Sequence, residues 1–108
     1  MDQALIEPGV WINAGAIIGY KSEVKSGALI NTQAIVEHHT ILESCCQLDP
    51  AVVVAGNVTV GECAHLHMGA LIANRINIGA NAIVGAGSVV LTNVAENLKV
   101  AGAPAKEI

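Results

Sequence analysis

The chain has 108 residues, enough for one domain and too few for two. It is 53% hydrophobic yet holds no Phe, one Trp and one Tyr, so its core must be narrow and filled by small and branched side chains rather than aromatic bulk. A formal net charge of −4 with scattered Lys and Arg argues against nucleic acid as a partner, and no apolar run approaches the ~20 residues of a membrane helix.

Met1-Asp2-Gln3 offers neither the basic start nor the apolar block of a signal peptide. Cys45, Cys46 and Cys63 are odd in number and lack C-x-x-C spacing. The expectation is a reducing, cytoplasmic setting, with Cys46 in the core and Cys45 and Cys63 as free thiols at corners.

From Ile6 onward every sixth residue is aliphatic: Ile6, Ile12, Ile18, Val24, Ile30, Val36, Leu42, Leu48, Val54, Val60, Leu66, Ile72, Ile78, Val84 and Val90. Four places after each anchor stands a residue of limited size, such as Ala16, Ser22, Ala28, Ala34, Thr40, Cys46, Ala64 and Ala70. Three places after it Gly and Asn recur, at Gly9, Gly15, Gly27, Asn57, Gly69, Asn81, Gly87 and Asn93. Those residue types tolerate positive φ, so a corner belongs there. The pattern predicts a short strand and a corner, repeated, with anchor and small residue pointing inward. Helical spacing would scatter the anchors around a cylinder.

This repeat resembles that of the hexapeptide-repeat family over nearly the whole chain. The resemblance implies an all-β, left-handed parallel β-helix with three hexads per triangular coil. Fifteen hexads then make about five coils, a column roughly 24 Å tall at a strand spacing of ~4.8 Å. The expected organisation is one domain over 1–108, with regular coils over about 5–95 and a tail over 96–108. The N-terminal sugar-nucleotide-binding domain of relatives is expected to be absent from this chain.

Residues eighteen apart stack in such a column, which sorts the outward positions onto three faces. Ile17, Ile35, Val53, Leu71 and Val89 make an aliphatic ladder, too large a patch for a soluble monomer to leave bare. The ladder predicts burial against another copy, and the family resemblance implies a homotrimer. Trp11, Leu29, Gln47, His65 and Ile83 make a second face, flanked by Asn13, Asn31, Asp49, His67 and Gly85, which suits the wall of a groove. The third face, with Glu23, Ile41, Thr59, Asn77 and Ala95, is the charged one.

Candidate chemistry concentrates in Ile30 to Thr40, INTQAIVEHHT. His38 follows the apolar ladder at a corner, at the rim of the expected interface. Glu37 is expected inside that interface beside it, where a carboxylate would favour the charged imidazole. Together with AGNVTVG at Ala55–Gly61, GAGSVV at Gly85–Val90 and VAGAPAK at Val100–Lys106, this stretch resembles the C-terminal half of the sugar and sialic-acid acetyltransferases. The resemblance implies acetyl transfer from acetyl-CoA to a sugar amino or hydroxyl group, with His38 as general base. It implies a cofactor groove near Gln47, Gly56, His65, Met68 and Ala86, with Lys106 near a phosphate. Asn31 and Tyr20 are expected to shape the groove and the acceptor pocket.

Three departures from the family pattern stand out. His39 occupies the place of the usual acid after the base, so activation is expected to fall to Glu37 or to be lost. Gln47 stands where relatives have a cofactor-contacting His. Pro50-Ala51-Val52 replaces Pro-Gly-Ala at a corner that prefers Gly. A competing reading is therefore a trimer that binds or supports without turnover. His65 and His67 point out of one strand and could share an ion, and the β-helical carbonic anhydrases that this fold resembles use three His across a subunit interface. The third ligand would then have to be His38 or His39 of a neighbour and the ligand spacing differs, so no metal is expected.

Overall fold

The computed structural model describes residues 3–108, and no helix occurs among them. Two-residue strands alternate with four-residue corners from Leu5 to Val90. The strands form three parallel stacks. One stack holds Leu5–Ile6, Glu23–Val24, Ile41–Leu42, Thr59–Val60 and Asn77–Ile78, and is the charged sheet. The apolar sheet holds Ile17–Ile18, Ile35–Val36, Val53–Val54, Leu71–Ile72 and Val89–Val90. The polar sheet holds Trp11–Ile12, Leu29–Ile30, Gln47–Leu48, His65–Leu66 and Ile83–Val84, followed by Lys99–Gly102 and Ala105–Glu107. Partners are eighteen residues apart, as in Ile17↔Ile35↔Val53 and Leu29↔Gln47↔His65. This is the parallel β-helix of about five coils that the family resemblance implies, and its three stacked sheets are consistent with the left-handed form.

Each strand is too short to hold itself. Its amides bond across to the next coil instead, as in Ile35 N to Val52 O (2.8 Å) and Glu37 N to Val54 O (2.9 Å). Strand backbone groups thus find partners in a neighbouring turn of the same column. The third residue after each anchor from Ile6 to Val84 takes the left-handed conformation, whether or not it is glycine: Gln33 (φ 59), His39 (57), Ala51 (63) and Asn57 (59) do so alongside Gly27 (78) and Gly69 (73). The corner therefore imposes its geometry on the residue, at a cost of roughly 1–2 kcal/mol for a side chain unsuited to it.

The anchors from Val24 to Val90 are at most 3% exposed, and the small-residue slots between them are sealed as well. Ile6 and Ile12 depart from this, at 47% and 40%, because no coil among the described residues stacks beneath them. The column measures 36 × 21 × 21 Å, longer than five coils require, since the segments after Val90 extend the polar sheet.

The last coil is also two residues short. Val84 pairs with Val100 and Ile78 bridges to Val94, sixteen residues on. This moves Asn93, rather than the expected Ala95, over Asn77; its Oδ1 accepts the Asn77 amide at 2.9 Å. The tail folds back as a hairpin pairing Ala101 with Lys106.

Cys45 and Cys63 differ from expectation. They are joined as a disulfide, with Cα atoms 4.6 Å apart. They are eighteen residues apart, so one coil's rise brings two corner thiols into bonding range. The free-thiol expectation overlooked that stacking, and the cytoplasmic assignment loses the support it drew from free thiols. Cys46 is buried as expected; burial first, then the charge of Glu43, push its thiol up to about 12, so it is no nucleophile. Among the described residues no helix is long and apolar enough to cross a membrane.

Candidate active site

The corner Glu37 to Thr40 closes the apolar sheet and opens the charged one. Two buried hydroxyls lock it to its neighbours. Ser22 Oγ donates to the Glu37 carbonyl (2.7 Å) and accepts the Thr40 amide (3.1 Å). Thr40 Oγ1 donates to the Ala55 carbonyl (2.9 Å) and accepts the Val58 amide (3.3 Å). The His38 carbonyl takes the Asn57 amide at 3.0 Å. Backbone movement at His38 is thus resisted from the coil below and the coil above.

The His38 imidazole lies exposed against Gly56 of the next coil. A Cβ at Gly56 would sit 2.7 Å from both Cε1 and Nε2 of the ring, so the missing side chain is what seats the imidazole. The sequence puts Gly56, eighteen residues after His38, in the expected cofactor groove; the space it spares is first of all for the His38 ring. His38 Nδ1 meets His39 Nδ1 at 3.1 Å. The His39 ring also stands edge-on to His38 and to Tyr20, with centroids 5.3 and 5.8 Å apart. Tyr20 accepts the His39 amide through its carbonyl (2.9 Å) and carries Lys21 Nζ over its ring.

Glu37 does not pair with His38. Its side chain is exposed in this chain, and the described ion pairs do not include it. Adjacent residues leave an extended strand on opposite sides, and the left-handed turn comes only at His39, which is why His39 and not Glu37 reaches the ring.

A second polar group lines the far edge of the apolar sheet. Gln47 Nε2 donates to Asp49 Oδ1 (2.9 Å), while His65 Nε2 bonds Asp49 Oδ2 (2.9 Å) and His67 Nδ1 lies 3.6 Å from that oxygen. The His65 and His67 rings stack with centroids 3.9 Å apart. One coil lower, Asn13 Nδ2 donates to Asn31 Oδ1 (2.9 Å), which also accepts the Thr32 amide (2.7 Å). Asn31 thus belongs to the ladder beneath Asp49. The sequence places Asp49 on the groove wall, eighteen residues before His67, but gives it no role; its contacts with Gln47, His65 and His67 appear only in the fold.

Met68 and Ala86 are exposed at the corner that follows His67 and at its equivalent one coil up. Lys106, on the terminal hairpin, borders a cleft of about 510 Å³ shared with Leu91, Asn93 and Pro104, at the opposite end of the column from Tyr20. Within one chain, His38 therefore stands at one edge of the apolar sheet, and Gln47, His65, Met68 and Ala86 stand at or beyond the other.

The architecture is that of the hexapeptide-repeat acetyltransferases, which are the structural neighbours of this chain. The chain is 38% identical to PerB from Caulobacter crescentus, solved in complex with CoA and GDP-perosamine, over 99% of its own length and 55% of that chain, with a TM-score of 0.88. It is 27% identical to the acetyltransferase domain of PglB from Neisseria gonorrhoeae, solved with acetyl coenzyme A, over 99% of this chain and 55% of that one, with a TM-score of 0.72. A hexapeptide transferase family protein from Anaplasma phagocytophilum, at 21% identity and a TM-score of 0.74 over 100% of this chain and 75% of that one, shares the fold. The chain thus spans about half the length of PerB and of the PglB domain structure. No protein-family model and no curated protein matches it.

Proposed function

We propose that this chain carries acetyl transfer from acetyl-CoA to an amino or hydroxyl group of a sugar, with His38 as general base at a trimer seam. The observation that carries the reading is the seating of His38: its ring is fitted against Gly56, and its Nδ1 is engaged by His39. With Nδ1–H donated to His39, the lone pair of Nε2 is free to take a proton. The likeness to PerB, solved with CoA and a nucleotide sugar, supports the class of donor and acceptor.

The separation of groove residues onto two edges of the apolar sheet supports the trimer. Contact between copies through Ile17, Ile35, Val53, Leu71 and Val89 would bring the His38 edge of one to the Gln47 edge of the next. Met68, Ala86, Gln47 and His65 would then line the donor's groove, and Lys106 would meet a phosphate. The small Ala86, exposed at its corner, leaves space for a pantetheine arm.

His38 Nε2 takes the proton of the acceptor's amino or hydroxyl group as that group bonds to the acetyl carbon. Acetyl-CoA supplies the acyl group, whose bond to sulfur breaks. His38 returns the proton to the departing thiolate and is regenerated. His39 holds the ring and its tautomer in place of the acid of relatives. Because His39 is not an acid, the second reading, a trimer that binds without turnover, keeps a specific observation in its favour.

Acetylation assays with amino-sugar and nucleotide-sugar acceptors separate the two. His38→Ala is expected to lower turnover about 10²–10⁴-fold, with CoA affinity by calorimetry retained. Equal rates in both proteins would remove His38 from the mechanism.

A further inference from the structure

Asp49 and His67 have no part in the transfer described above, yet with His65 they bring three metal-binding atoms together. The donor atoms all lie within 4.8 Å of one another. We infer that Asp49, His65 and His67 form a site for one divalent transition-metal ion of the zinc type.

The distances between the donor atoms suit such an ion, and the stacked His65 and His67 rings must turn to aim their in-plane lone pairs at it. Ligand atoms about 2.05 Å from a tetrahedral metal lie roughly 3.3 Å apart. Asp49 Oδ2 lies 2.9 Å from His65 Nε2 and 3.6 Å from His67 Nδ1, on either side of that figure. Two imidazole nitrogens and one carboxylate oxygen make a donor set that zinc, cobalt and nickel accept readily. The backbone is already in place: the amides of Asp49, His65 and His67 bond to the carbonyls of Leu66, Ala82 and Val84, each at 2.9 Å. Gln47 Nε2 holds the other carboxylate oxygen, the outer-sphere support that orients a ligating carboxylate. The His67 side chain is 40% exposed, so the remaining coordination position opens to solvent. Neither histidine of the His38 corner is required, in contrast with the set a neighbouring chain would have had to complete.

Titration of tag-free, chelator-treated protein with Zn²⁺ by calorimetry, and with Co²⁺ by visible absorption, tests the site without acetyl-CoA. Its failure would leave the transferase reading standing, and the converse also holds. One ion per chain is expected, with the intense visible bands of four-coordinate cobalt. Asp49→Asn and His67→Ala should each abolish the bands, while Gln47→Ala should weaken binding about 10–100-fold. His38→Ala should bind as the parent does. No saturable binding by the parent, or binding that survives in the Asp49→Asn/His67→Ala double variant or depends on His38, would overturn the assignment.

Discussion

Gly56 and His38 make a pair in which the smaller residue decides what the larger can do. The backbone of Gly56 does not need glycine's conformational freedom, since its φ is not in the positive range. Alanine would therefore fold there, but its Cβ would displace the imidazole from a 2.7 Å approach. Gly56→Ala is expected to cut acetyl transfer by about 10²-fold, the order of effect of an ångström's misplacement. Its thermal midpoint should stay within a few degrees of the parent's; activity at the parent's level would show that the ring's seat is irrelevant. Ala51 presents the reverse case, a Cβ at φ 63. Ala51→Gly should raise stability by about 0.5–1 kcal/mol in urea denaturation, the relief of left-handed strain less glycine's entropy. At this scale the sequence was legible in part. It marked His38 and Gly56 as neighbours through the eighteen-residue stack. It could not say whether Glu37 turns toward the His38 ring, because adjacency along a chain does not say which way a corner turns.

The coil is the element that makes those positions reproducible. Aliphatic anchors and small slots set its three sides, and both were readable because burial allows little else there. The hydroxyls among the small slots carried no visible reason in the sequence. In the fold, Ser22 and Thr40 answer backbone groups at the one corner that bears His38. Thr40→Val keeps the shape and removes the hydroxyl, leaving the Ala55 carbonyl and the Val58 amide without that partner. A loss of about 1–3 kcal/mol in chemical denaturation is expected, the cost of unanswered buried polar groups. A change below a few tenths would mean that coil-to-coil bonding holds the corner unaided. The shortened last coil was beyond the repeat's reach: the anchors stop at Val90, and the chain's return at Lys99 depends on which backbone groups the preceding coil leaves to pair. Stacking also explains why Cys45 and Cys63, read separately as corners, become one bond.

At the scale of the whole molecule, an outward face of aliphatics divides the groove residues between two edges. Ile17, Leu71 and Leu91 are 47%, 45% and 56% exposed, on or beside the apolar sheet. A patch of that kind is where association is expected. It also separates His38 from Gln47, His65, Met68 and Ala86, so a groove built from both sets needs two chains. Val53 is central in the sheet, between Ile35 and Leu71. Val53→Arg would set a charge in the middle of the contact without disturbing Val54, which points to the core at 0% exposure. Light scattering should give three times 11.0 kDa for the parent and a single chain for Val53→Arg. Circular dichroism should show the β-helix intact in both. Acetyl transfer should vanish with the trimer while zinc binding persists, because the Asp49 cluster lies within one chain and the transfer groove does not. A parent that runs as a single chain, or a dispersed variant that still acetylates, would leave His38 and the opposite edge of the sheet without a common groove.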